Sequence, residues 1–374
     1  MVMNDTLRLG RIGGVRVGLN WTLLAMAVFL AVALAQNRLP YDAPGYAAAA
    51  YWVAGAAAAV VLLLTILLHE LGHAVVARRA GLRVDGITLW FMGGITRIEG
   101  EASSPGAELQ ISGVGPLISG VIGGALWGLS IGLEHLGTSP LAVHAVAWLG
   151  VINVALAVFN LLPGAPLDGG RVLHAAVWAV TRDRWRATRV ASGAGALIGG
   201  LLAVAGFVAF AHGDSVDGVL LAVLGWFLFT SARSEEQVAT IHRALDGVTV
   251  ARLMRPVRAA PGWLTVDALL SGYGDLPGSV LMLERWGGGF DGVASLDALA
   301  EVPYEQRHLV RGVDVAVPIA QTEGAAVDDP VVDAIARPGG RKVLLVISGG
   351  HTVGALLPAD VDAWLRQTGG RPLH

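Results

Sequence analysis

Five consecutive residues, His69-Glu70-Leu71-Gly72-His73, combine two imidazoles and a carboxylate at a spacing that can do chemistry. On a helix, residues four apart lie on one face, so His69 and His73 can bind a single metal ion. Glu70 would then sit beside water held at that ion and could take its proton. The chain has only 10 histidines, which makes a chance pairing a poor explanation, although so short a pattern also arises in unrelated proteins. The triplet closes an uncharged run at 43–68, where ionisable groups are costly unless they serve a function. Counting back from Arg78 at the helical rise puts the two histidines roughly 7–14 Å inside the membrane boundary.

A zinc hydrolase keeps three protein ligands and one open position. With 0 Cys in the chain, the third ligand must be His, Asp or Glu, and disulfide frameworks and thiol nucleophiles are excluded. Asp168 is the candidate: in NLLPGAPLDGG (160–170) it is the only carboxylate between Glu134 and Asp183. Pro163 and Pro166 must end the preceding helix near Leu162, on the side where the histidines lie. The competing reading is a helix cap for the segment beginning near Gly169. The lack of another well-placed third ligand favours Asp168 as a metal ligand.

The elements that must hold these residues are written in the charge pattern. Hydrophobic residues make up 54% of the 374 positions and charged ones 15%, against about 25% in soluble proteins, so most of the chain is too poor in charge for a water-exposed globule. Residues 1–232 carry 25 charged side chains and residues 233–374 carry 30, a split between a membrane part and a soluble part. Six uncharged runs approach the roughly 20 residues needed to cross a bilayer: 17–37, 43–68, 109–133, 136–167, 190–211 and the short 218–232. Basic residues gather in alternate connections, from Arg8, Arg11 and Arg16 to Arg78–Arg97, then Arg171–Arg189, then Arg233 onward. That places both termini in the cytoplasm. A net charge of −3 argues against a nucleic-acid partner. The expected fold is mainly α: a polytopic bundle of six transmembrane helices (1–232), a membrane-associated β-hairpin, and a C-terminal soluble α/β domain (246–374).

The hairpin is read from RVDGITLWFMGGITRIEGE (83–101), two β-prone stretches around Gly93 and Gly94, with the glycines supplying the turn. Ile87, Leu89, Trp90, Phe91 and Met92 suggest that it dips into the membrane interface; a plain surface hairpin is the alternative. Gly120, Gly124, Gly128 and Gly132 form a ridge expected to pack against another helix, as do Gly195 and Gly199. His144 and His174 read as hydrogen-bonded helix histidines without a carboxylate companion at ligand spacing, and the 182–189 arginine cluster as a topology determinant.

HELGH on a membrane helix, followed far downstream by NLLPGAPLDGG, resembles the site-2 protease family of intramembrane zinc metalloproteases. GPLISG (115–120) and FMGGI (91–95) are similar to further elements of that family. The resemblance covers roughly residues 8–232 and, with no PDZ insertion, points to the compact bacterial branch. It implies His69, His73 and Asp168 as Zn2+ ligands and Glu70 as catalytic base and acid. It also implies Asn160, Gly93 and Gly94 on the substrate side. The partner implied is a membrane-spanning protein substrate within the lipid bilayer, with an anchored anti-sigma or transcription factor as the usual class. A tail-gated channel or transporter would need ionisable residues at mid-membrane on several spans, and these are absent from the sequence. Another membrane metalloprotease would call for a Glu third ligand, and an inactive scaffold sits poorly with an intact HELGH and Asp168.

The tail resembles a degenerate pair of CBS modules, through VTVARLMRPV (248–257) and residues 343–360. Asp360 stands at a position that often meets nucleotide ribose, whereas Leu357 replaces the usual Thr or Ser. Regulation or substrate gating is the expectation, with nucleotide binding open and a homodimer through the tail as the alternative role. No strong internal repeat is evident in the sequence.

Overall fold

The computed structural model describes residues 7–91, 93–213, 215–275, 278–337 and 343–368. The chain divides into two compact units, Met1–Glu236 and Gln237–His374.

The first unit opens with two strands, β1 (Leu7–Ile12) and β2 (Val15–Leu19), an antiparallel pair. This corrects the expected first span at 17–37. Val15 and Val17 alternate inward as a half-buried strand does, and the helix begins only at Trp21, where the Asn20 side chain accepts the Thr22 N–H. From there α1 (Trp21–Ala33), a π-helical turn (Leu34–Arg38) and α2 (Leu39–Asp42) form one apolar rod. The rod is followed by the 32-residue α3 (Ala48–Arg79), which carries HELGH.

Strands β3 (Arg83–Trp90) and β4 (Gly93–Glu99) form the expected hairpin, with Trp90 paired to Gly93 at its tip. Gly93 and Gly94 open β4, opposite Trp90 and Leu89, so they do not supply the turn. Met92 lies outside the described residues, as does Asp214. The hairpin joins a four-stranded sheet in the order β1-β2-β3-β4, with β3 parallel to β2. That leaves β4 as an edge strand.

Helices α4 (Pro105–His135) and α5 (Pro140–Asn160) follow, each with a capping serine, Ser104 and Ser139. A turn-rich segment containing a cis Ala165–Pro166 bond leads to α6 (Asp168–Thr181), α7 (Arg184–Ala211) and α8 (Ser215–Ala244). Among the described residues five helical segments are long and apolar enough to cross a membrane: Trp21–Asp42, α3, α4, α5 and α7. The sixth expected span lies in α8, which does not meet that standard, because its apolar stretch is short and passes quickly into Arg233, Glu235 and Glu236. The glycine ridge on α4 also needs correction. A methyl group at Gly124, Gly128 or Gly132 would meet nothing within 4 Å, while the tight crossing with α5 is made by Gly123 against Gly150 and Val154. Gly199 does pack closely, against Gly225 and Phe229 of α8.

The second unit holds α9 (Val250–Leu253), then β5 (Arg255–Pro261), α10 (Val266–Tyr273), β6 (Val280–Glu284), β7 (Phe290–Ser295) and α11 (Leu296–Ala300). After α12 (Gly312–Val315) and β8 (Val317–Pro318) come β9 (Glu323–Ala326), α13 (Val331–Ala336), β10 (Leu344–Ser348), β11 (His351–Leu356) and α14 (Pro358–Gln367). The strands make one sheet, β8-β7-β6-β5-β11-β10-β9. Its halves repeat one plan: strand, helix, a strand parallel to the first, an antiparallel return, helix. The repeat lies in strand order and pairing rather than in residue identity, which is why the sequence displays no strong one. Each half has its own apolar core, one around Leu269, Leu281, Leu283 and Leu299, the other around Val331, Leu344, Val346 and Leu365.

Candidate metal centre

α3 places His69, Glu70 and His73 in the interior, at 5%, 9% and 8% exposure. The two imidazoles meet edge to face with centroids 4.9 Å apart. Each ring is held by its Nδ1: His69 by Ser119 Oγ at 2.9 Å, His73 by the Ile111 carbonyl at 2.6 Å, both on α4. The Ile111 carbonyl can only accept, so it sets the His73 proton on Nδ1 and the lone pair on Nε2, while the Ser119 hydroxyl orients the His69 ring. Both Nε2 atoms face Asp168 Oδ2, at 3.1 Å from His69 and 3.3 Å from His73. Each of the three residues offers one ligand atom, and those atoms all lie within 4.8 Å of one another.

Asp168 is the first residue of α6, with Leu167 as the cap, and its carboxylate is turned to the histidines. The segment before it is pinned against α7: Ala165 N–H donates to the Ala191 carbonyl at 3.1 Å, and a side chain at Gly195 would overlap the Ala165 carbonyl. Gly195 therefore packs against this segment, a more specific task than the general helix packing expected of it.

Two glycines shape the centre by what they omit. A Cβ at Gly115 would overlap the Nε2 atoms of both histidines, and one at Gly94 would overlap the Glu70 side chain. Glu70 thus lies against β4, where Thr96 Oγ1 donates to its Oε2 at 2.7 Å. Two imidazole nitrogens and one carboxylate oxygen, with bare glycines that let the rings and Glu70 pack close, fit a three-ligand zinc site.

The remaining sequence candidates are not gathered there. Asn160, at the end of α5, donates its amide back to the Leu156 carbonyl at 3.1 Å. Gly93 begins β4 at φ +130°, with open space where a side chain would be. His174 is hydrogen-bonded as expected, and the fold brings it a carboxylate partner from another helix, Glu108, at 2.8 Å. Ser119, Thr96 and the Ile111 carbonyl escaped the sequence reading. Ser119 lies within GPLISG, which gave a signal; a carbonyl gives none. In the tail, Asp360 Oδ1 accepts from Arg255 Nε at 2.6 Å, and Arg255 Nη1 donates to Asp297 at 2.6 Å.

A membrane helix bundle with this donor set beside an interior glutamate defines a membrane-embedded metallohydrolase. The description of peptidase family M50 matches residues 57–139 and 134–205. Rip3 of Mycobacterium tuberculosis, which bears the name of a zinc metalloprotease, is 37% identical over 96% of this chain and 92% of its own length. A protein of Synechocystis, similarly named, is 32% identical over 66% of this chain and 64% of its own. Among solved structures, the site-2 protease from Methanocaldococcus jannaschii covers 62% of this chain and 94% of its own at 25% identity and a TM-score of 0.41. A CBS domain of a bacterial CNNM/CorC family Mg2+ transporter covers 36% of this chain and 83% of its own, at 20% identity and a TM-score of 0.25. The chain belongs to peptidase family M50, the site-2 protease family of membrane zinc metalloproteases.

Proposed function

We propose that this chain cleaves a membrane-spanning segment of an anchored protein, with His69, His73 and Asp168 holding Zn2+ and Glu70 moving the proton. The observation that carries the reading is the convergence of both Nε2 atoms on one Asp168 oxygen from helices far apart in sequence. When bound, zinc supplies Lewis acidity to a peptide carbonyl and to water. Glu70 takes the proton from the attacking water and returns it to the leaving amine. Thr96 orients the Glu70 carboxylate through its 2.7 Å bond, and the bare Gly94 allows that carboxylate to lie beside the strand.

A helical substrate offers no free carbonyl, so the segment to be cut must be extended locally. Edge strand β4 supports this requirement, because an extended segment can add to its free side by main-chain hydrogen bonds. Gly93 and Gly94 would then line the path, and Asn160 would orient the substrate by exchanging its bond to Leu156 for one to the guest. The arginine pattern supports cytoplasmic termini and access of water from that face. The hairpin would dip into the interface through Trp90 and Phe91. The tail would gate or regulate, as a module that dimerises or takes a nucleotide. Arg255 already engages the Asp360 carboxylate, so a nucleotide would have to compete with it.

The test pairs zinc content with cleavage of a membrane-anchored substrate. Glu70→Gln is expected to retain zinc and lose turnover by about 10²–10⁴-fold. Asp168→Ala should lose both. Ile95→Pro in β4 should impair cleavage and leave zinc in place. Undiminished turnover in Glu70→Gln overturns the reading.

A further inference from the structure

His174 lies on α6, six residues beyond Asp168, or about 9 Å along the helix. Its Nδ1 is 2.8 Å from Glu108 Oε2, in the first turn of α4. Its Nε2 is 3.2 Å from the carbonyl of Arg184, at the start of α7. A carboxylate and a carbonyl both accept, so both contacts are hydrogen bonds only when the ring carries a proton on each nitrogen. Both side chains are mostly shielded, at 17% and 16% exposure, where a charged pair interacts more strongly than at a wet surface. Arg184 strengthens the same corner: its guanidinium sits 4.1 Å over the Trp178 ring and also contacts Glu101 and the Ala102 carbonyl.

The two helices joined by this pair are those that grip the imidazoles from opposite sides. α4 supplies the Ile111 carbonyl and Ser119 to the Nδ1 atoms and the bare Gly115 beside the Nε2 atoms. α6 supplies only Asp168, from its first residue. Glu108 is three residues before Ile111, nearly one turn. A sliding or rotation of α6 against α4 would therefore carry the Asp168 oxygen away from the two nitrogens while leaving the histidines in place. Metal sites tolerate little such displacement.

We propose that His174 and Glu108 are positioning residues for the metal: their pairing fixes α6 against α4 and so holds Asp168 in register with His69 and His73. The proposal rests on the assignment of those three as ligands. It is tested on the purified full-length protein by zinc competition with a chromophoric chelator, alongside thermal unfolding of the zinc-free form. Glu108→Gln and His174→Gln should each lower zinc affinity several-fold, up to about 10-fold, the lower end of what is lost with groups that bond a ligand directly. The double variant should lose no more than the worse single, because either single already breaks the contact the two residues share. Glu108→Asp, a milder shortening by one carbon, should give an intermediate loss. A merely structural role would lower the zinc-free unfolding midpoint and leave affinity alone. Affinity within twofold of the parent in Glu108→Gln, His174→Gln and Glu108→Asp, or losses that simply add in the double variant, overturns the proposal. Asp168→Ala separates the two levels: if it keeps zinc, the ligand assignment fails; if it loses zinc while the pair variants bind normally, only the positioning role fails.

Discussion

The two halves of the candidate metal centre are encoded differently. The histidine half needs only a helix: His69 and His73 share a face of α3 because residues four apart always do. The aspartate half needs a tertiary structure. Asp168 reaches the imidazoles because a proline- and glycine-rich segment ends α5, lies against α7 through Ala165, Ala191 and Gly195, and starts α6 at the right place. One half is placed by α3 and steadied by α4; the other inherits every displacement of α6 and α7.

Substitutions can test that difference, each read by zinc affinity through chelator competition. The largest effect is expected from Gly115→Val, which drives a side chain between both Nε2 atoms and should cost about 100-fold or more, since it strikes both halves. Gly195→Val should come next, at about 10–100-fold, by displacing the Ala165 segment and Asp168 with it while α3 stays intact. Ser119→Ala removes one bond from the His69 ring and should cost at most about 10-fold, because the helix already sets that ring's position. If Ser119→Ala proves as damaging as Gly195→Val, the asymmetry is wrong. Thr96→Val should leave zinc affinity unchanged and slow cleavage about 10-fold, since it touches only Glu70. A drop in zinc affinity there would make β4 part of the metal's support and blur the division.

The same asymmetry explains what could be read from the sequence. The HELGH face was legible because it is local, and Asp168 because prolines and glycines mark an abrupt stop in an apolar run. The partners of the rings were not: Ile111 acts through its backbone, which leaves no trace in residue type, and Ser119 is one serine within an apolar helix. The opening of the chain reads as helix for a related reason. Val17–Leu19 runs without a charge into the helix after it, and its pairing with β1 on one side and β3, more than 60 residues on, on the other makes it a strand. In the tail the repeat resides in the order and pairing of the strands, so it emerges only when the two halves of the sheet are seen together.

The exposed flank of β4 has a further consequence. Main-chain bonds recognise a peptide's shape and polarity without reading its side chains, and the buried β3 leaves a guest only one side of the hairpin to join. Where such a guest is severed would be governed by its alignment along the strand relative to Thr96. Selection among guests would then follow the ease with which each surrenders its coil, so a stretch rich in weak helix formers would be chosen over a stable one whatever its exact spelling.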